Sequence, residues 1–270
     1  MMEFLILNEP ISYYLENEEY ERFKDELKTV DNPLALSYVT KKIKNYIINK
    51  TLINSKAIIE DIDNVYIGPK ASLAKGCVIK PGTYLYGETS IDEGSIIGPN
   101  TYLENVKVGK NNTVLMSHIV DSTIGHDNQV GPFARIRGNA LIEGNSRVGN
   151  FVELKGAHLH EGVKSAHLTY LGDCEIGERT NIGCGTITAN YDGYNKSRTN
   201  IGKDVFVGSG SILIAPINVE DEAFLAAGGT FTKDVTKDDL AIARARQENL
   251  KGYSHVIKNR AKAKKEASKK

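Results

Sequence analysis

Between Val65 and Val235 the apolar residues of this chain recur every six positions. Ile67, Leu73, Ile79, Leu85, Ile91, Ile97 and Leu103 form one series. Val130, Ile136, Ile142, Val148 and Leu154 form a second, and Ile201, Val207, Leu213, Val219, Leu225 and Phe231 a third. A small residue often follows, as at Gly68, Gly98, Gly149, Gly183 and Gly208. Six residues is too short a period for a helical repeat and too regular for a layered α/β domain. It suits a hexapeptide solenoid, in which each hexad makes one short strand and a turn. The aliphatic residue points inward and stacks on its counterpart one coil away, while the small residue lets the chain turn. The fold class predicted is therefore all-β: a parallel β-helix. Three hexads close a triangular coil of about 18 residues, so the stretch 55–235 makes about ten coils.

The rest of the chain divides around this stack. Residues 1–54 lack the rhythm. Pro10, Tyr13, Tyr14, Leu15, Tyr20, Phe23 and Leu27 suit one amphipathic helix, broken near Asp31-Asn32-Pro33. Leu36, Val39, Ile43, Tyr46 and Ile47 suit a second. Such a pair is expected to cap the open first coil, with partner docking as the alternative. Residues 236–270 hold Arg244 and Arg246 and end in a basic tail that is either a solvated end or a grip on a polyanion. Within the stack, five-residue steps at Leu103→Val108, Ile119→Ile124, Leu154→Leu159 and Leu171→Ile176 tighten a corner without loss of register. Residues 188–200 have no inward rhythm and are expected to leave the prism as a loop, where binding groups concentrate.

Charge and cysteine usage narrow the function. With 34 basic and 34 acidic residues, no whole-chain field favours nucleic acid or an anionic membrane. Cys77, Cys174 and Cys184 form no CxxC pair, which points to reduced thiols and a cytoplasmic location. MMEFLILNEP has neither a basic lead nor a long apolar run, so neither signal peptide nor anchor is expected. A prism filled with aliphatic side chains has no inner pocket. A site must lie on an outer face or in a groove between subunits, which favours a homotrimer.

Several residues stand out. His167 follows Ser165, which occupies an inward aliphatic position. It is either a surface histidine or a general base working near neutral pH. Arg135 and Arg137 share a strand face; with Lys155 and Lys196 they make either a solvated surface or a phosphate site. His158 and His160 face one way and, with His118 or His126, could form a three-histidine zinc site like that of hexapeptide carbonic anhydrases. The sequence positions no carboxylate or third ligand beside them, so no metal is expected. No glycine-rich phosphate loop and no GxSxG nucleophile elbow is present.

The strings GPFARIR (131–137), VGNFVELK (148–155), AHLTYLGD (166–173), NIGCGTITANYDG (181–193) and DVFVGS (204–209) stand in unbroken order. Together they resemble the acetyltransferase half of the bifunctional bacterial UDP-N-acetylglucosamine pyrophosphorylase/glucosamine-1-phosphate N-acetyltransferase family, over about residues 120–250. The resemblance implies a left-handed coil and transfer of acetyl from acetyl-CoA, a co-substrate, to the amine of glucosamine 1-phosphate. It implies His167 as catalytic base, and Arg137, Lys155 and Lys196 at the sugar phosphate. It implies Tyr170 and Asn181 at the sugar, and Asn190 beside both ligands. Cys184, Tyr191, Ser209, Ala227 and Arg244 match acetyl-CoA contacts, and Glu153 a supporting position.

The family's uridylyltransferase half, with its nucleotide loop, has no counterpart in residues 1–54, so pyrophosphorylase activity is not expected of this chain. Departures from the family pattern are Cys184 for Ala, Gly156 for Lys, Gly138-Asn139 for Pro-Gly, Ala166 for Gly and Arg246 for Pro. Two alternatives stay open. One is another amino-sugar phosphate, such as galactosamine 1-phosphate. The other is a non-catalytic trimeric scaffold for a separate nucleotidyltransferase.

Overall fold

A computed structural model describes residues 10–268; the segment MMEFLILNE, read above for a leader, and the last two lysines of the tail lie outside the described residues. Among the described residues twenty-six short strands wind into a parallel solenoid of about ten coils, the architecture the hexads predict, with the left hand that the resemblance implies. Its register follows the repeat. Ile67 pairs with Leu85, Leu85 with Leu103, Leu103 with Ile119, Ile119 with Ile136, Ile136 with Leu154 and Leu154 with Leu171. All of these side chains are buried. Each contributes about 1.5–3 kcal/mol over an exposed counterpart, so the repeat as a whole, and no single pair, holds the prism.

The outward column beside this ladder runs Tyr66, Tyr84, Tyr102, His118, Arg135, Glu153, Tyr170, Ile187, Ile212 and Thr230, one residue per coil. Its first rungs are aromatic. Tyr66 stacks on Tyr84 at 4.4 Å between ring centres, and Tyr102 on His118 at 4.7 Å.

The shortened steps share a physical cause. Asn105, Asp121, Gly156 and Asp173 fall inside them, and each adopts a left-handed backbone with φ between 46° and 58°. Only Gly, and next Asn and Asp, take that conformation at little cost. A five-residue step turns its corner on one such residue, whereas Ile136→Ile142 spreads the turn over Gly138 and Asn139.

Polar residues enter the core where a partner is at hand. Asn112 Nδ2 donates to the carbonyls of Gly109 and Gly125, at 2.9 and 2.7 Å. Ser165 takes the inward place the hexads assign it; it is fully buried and its hydroxyl finds no partner among the described residues.

The N-terminal region differs from one continuous first helix. Pro10–Tyr14 forms a 3-10 turn, and α1 begins only at Asn17 and runs to Lys28, because Glu16 is extended. Helix α2, Pro33–Ser55, starts where the Asp-Asn-Pro break predicts: Asn32 accepts from the N–H groups of Leu34 and Ala35, both at 3.0 Å, and Pro33 fills the first turn. Ile48 and Leu52 of α2 join the solenoid core, while Tyr14 packs edge-on against Tyr86 of the outer face. Helix α3, Tyr253–Ala267, carries the basic tail and is exposed along its length. No helix among the described residues is long and apolar enough to cross a membrane.

Candidate active site

Two arrangements of side chains meet around the coil that holds His167. The first is a vertical row. His167, Cys184, Ser209 and Ala227 each stand immediately before a left-handed corner residue: Leu168, Gly185, Gly210 and Gly228. The corners stack through backbone bonds. Gly185 N donates to Leu168 O at 2.9 Å, Gly210 N to Cys184 O at 2.7 Å, and Gly228 N to Ser209 O at 2.8 Å. Arg244 closes the row from the C-terminal segment, its guanidinium donating to Ala227 O. All four row residues are exposed, and the His167 imidazole makes no hydrogen bond to the described residues. Asn150 lies directly beside His167 on the preceding coil.

The second is a cation cluster on the adjoining face. In-register pairing puts Arg137 beside Lys155, and Lys155 beside Gly172. Gly172 has no side chain, and the phenol of Tyr170 lies over it, where a β-carbon would stand 2.4 Å from the hydroxyl oxygen. Arg137 donates through Nε and Nη2 to Glu153 Oε1 at 2.9 and 2.7 Å, so Glu153 orients the guanidinium. Lys155 Nζ donates to Asp173 Oδ2 at 3.2 Å, and the same oxygen accepts from Asn190 Nδ2. Lys196 completes the cluster: the Lys155 ammonium beside it holds its amine below the usual lysine range, and Arg137 adds to the repulsion. Three cations face two carboxylates here, so the cluster is net positive and favours an anion.

The loop between these elements is shorter than the missing hexads suggest. Thr188 and Ala189 remain in the strand Ile187–Ala189, and the chain leaves the prism only from Asn190 to Arg198. Thr188 replaces an inward aliphatic without cost because its hydroxyl accepts from Gly172 N at 2.7 Å and donates to Gly172 O at 3.1 Å. The loop tip is fixed by Asp192, whose carboxylate accepts from the N–H groups of Tyr194 and Asn195 at 2.8 and 2.6 Å. Those bonds hold its carboxyl below the usual range. Tyr191 bridges back to Lys196 and stays exposed, next to Asn190.

Most residues singled out from sequence therefore fall into two groups. Arg137, Lys155, Asn190 and Lys196 come together, with Tyr170 one rung beyond Glu153. His167, Cys184, Ser209, Ala227 and Arg244 line the corner row. Asn181 stands apart from the cation cluster, between Lys164 and Phe206 on the face beyond that corner. His158 and His160 lie on a third face; His118 is on the face of Arg135, whereas His126 stands at the far edge of the His158 face, paired with Gly144. Asp173, absent from the sequence reading, joins Lys155 to Asn190. Its signal was its place 18 residues after Lys155, one coil length away.

The hexapeptide repeat of succinyl-transferase matches residues 198–233. The bifunctional protein GlmU of Caldicellulosiruptor saccharolyticus is 48% identical over 206 residues, covering 76% of this chain and 44% of that protein. GlmU of Staphylococcus haemolyticus is 42% identical over 229 residues, covering 85% of this chain and 51% of its own length. The chain is a homologue of the hexapeptide-repeat half of GlmU. It spans about half the length of the GlmU proteins it matches. Among solved structures, a UDP-N-acetylglucosamine acyltransferase from Campylobacter jejuni aligns over 74% of this chain and 76% of its own, at 15% identity and a TM-score of 0.41.

Proposed function

We propose that this chain transfers acetyl from acetyl-CoA to the amine of glucosamine 1-phosphate, giving N-acetylglucosamine 1-phosphate and free CoA. The observation that carries the reading is that one strand, Lys164–Gly172, joins the two arrangements: it carries an unpartnered imidazole in the corner row and ends at the edge where three cations converge. The homology to GlmU supports it.

In this reaction the amine lone pair attacks the thioester carbon, the C–N bond forms, and the C–S bond breaks as the CoA thiolate leaves. His167 takes the proton that the amine must lose, a role for which a neutral imidazole is suited. Arg137, Lys155 and Lys196 hold the phosphate, with Glu153 and Asp173 fixing their geometry. Tyr170 and Asn190 contact the sugar, and Asn181, on the face beyond the corner, reaches it across the groove between subunits. The row Cys184, Ser209, Ala227 and Arg244 takes the extended arm of acetyl-CoA, with Asn190 and Tyr191 covering its acetyl end. No covalent intermediate on Cys184 is needed.

Both arrangements are open on the single chain, so a homotrimer with grooves between subunits encloses the reactants. Within this reading residues 1–54 cover the first coil, 55–235 form the catalytic solenoid, and 236–270 supply the CoA-contacting segment. The reaction belongs in the cytoplasm, where thiols such as those of this chain stay reduced.

The test is CoA thiol release by the purified chain with acetyl-CoA and each of glucosamine 1-phosphate, galactosamine 1-phosphate and glucosamine. Fast release with the first, and slow release with glucosamine, is expected. Release favouring galactosamine 1-phosphate would move the assignment to that sugar. No release with any amine, together with binding to a nucleotidyltransferase, would replace the enzyme with a scaffold. With UTP and N-acetylglucosamine 1-phosphate, no pyrophosphate release is expected.

A further inference from the structure

On the prism face between Asp173 and Arg179, away from the cation cluster, four side chains converge that the transfer reaction leaves unused. Leu141 pairs with His158 and His158 with Glu175, so Glu143 and His160 occupy neighbouring rungs of the adjacent outward column. His158 Nε2 lies 2.8 Å and His160 Nδ1 3.0 Å from the same oxygen, Glu143 Oε1. His160 Nε2 lies 3.1 Å from Glu175 Oε1, and the two imidazole rings are 4.1 Å apart. One ligand atom from each of Glu143, His158 and His160 lies within 4.8 Å of the others.

Two carboxylates, Glu143 and Glu175, face the two imidazoles here. The cation paired with them is Arg198, which donates to the outer oxygen of Glu175 at 2.8 Å. The four side chains are partly exposed, and the groove beyond them, about 500 Å³, is floored by Gly177 and Gly202. A small ion can therefore reach the cluster without rearrangement of the coil.

We propose that Glu143, His158 and His160 form a binding site for a divalent transition-metal ion of the zinc class. Two imidazole nitrogens and one carboxylate oxygen are the donor set that borderline ions such as zinc prefer, and three protein ligands leave a position for water. Glu175, held by Arg198, either becomes the fourth ligand or fixes His160 from behind. The rigid coil sets the spacing: the three groups come from two consecutive coils whose register cannot slip without exposing Ile142 and Leu159. This assignment does not rest on the acetyl-transfer reading.

The test uses the full chain, stripped with chelator and titrated with zinc chloride against a chromophoric chelator, then with cobalt chloride followed by visible absorption. One equivalent per chain, and an intense cobalt ligand-field spectrum of low coordination number, are expected. Glu143→Gln keeps the size of the side chain and should weaken zinc binding tenfold or more. His158→Ala/His160→Ala should abolish the stoichiometric site, and His126→Ala should leave it intact. Circular dichroism of each variant separates lost binding from lost folding. Equal zinc affinity in parent and double variant, or no stoichiometric binding by the folded parent, would overturn the proposal.

Discussion

Cys184 shows how position on the prism decides the chemistry of a residue. Cys77 and Cys174 lie in the core, where burial pushes their thiols up to about 11 and about 12. At pH 8 neither offers a thiolate or a path to solvent. Cys184 is exposed in the corner row. A disulfide reagent should therefore titrate one thiol in the folded chain and three after denaturation, and acetyl-CoA should slow the single fast reaction. Fast modification of more than one thiol in the native chain would contradict the core placement. At this scale the sequence was legible where chemistry is local. His167 was singled out beside Ser165, and Ser165 is indeed the inward polar residue. It was not legible where partners come from another coil. Glu143 is 15 residues from His158 and Asp173 is 18 from Lys155, separations that mean contact only once the register is known.

At the scale of the coil, the small residues after the aliphatics have a purpose that the hexads state only in part. Gly125 needs no left-handed backbone; it is small because the next coil is close. A β-carbon there would stand 1.6 Å from the carbonyl oxygen of Glu143, which is backbone and cannot swing aside. Gly125→Ala should destabilise the chain by about 1–3 kcal/mol, read as a lower urea midpoint, and should disturb the neighbouring Glu143 rung. An unchanged midpoint would mean that the coils are spaced more widely than described. The five-residue steps were visible in the sequence, and their cause is a left-handed residue at each corner. The exit of the 188–200 segment was visible too, but its start was misplaced by two residues. A hydrophobic count cannot recognise Thr188 as a core residue; its hydroxyl is satisfied by the Gly172 backbone one coil away. The N-terminal pair was legible from apolar spacing and the Asn-Pro start of α2. The extended break at Glu16 left no such mark.

At the scale of the whole molecule, the solenoid interior is aliphatic and its charges lie on the outer faces, while the N-terminal helices bury Glu19 and Lys44; acid should act on the solenoid through surface carboxylates. Asp204 is held below the usual range chiefly by Arg179, and Glu175 chiefly by its hydrogen bond with His160, with Arg198 adding to it. A carboxylate with a lowered folded-state pKa adds stability above its unfolded value, about 4, and that stability disappears as pH falls through the folded value. These groups are largely solvated, so each effect is small. The urea midpoint should thus be flat from pH 8 to 5 with respect to these carboxylates and decline below about pH 4. A decline beginning well above pH 5 would contradict this attribution to surface carboxylates.

The central claim is that the corner-row imidazole activates the amine of a phosphate-anchored sugar. The most direct measurement compares CoA release by the parent chain and His167→Ala at saturating glucosamine 1-phosphate and acetyl-CoA. The account predicts a fall in kcat of about 10²–10⁴-fold, with unchanged folding and acetyl-CoA affinity. Turnover by the variant within a fewfold of the parent would contradict it.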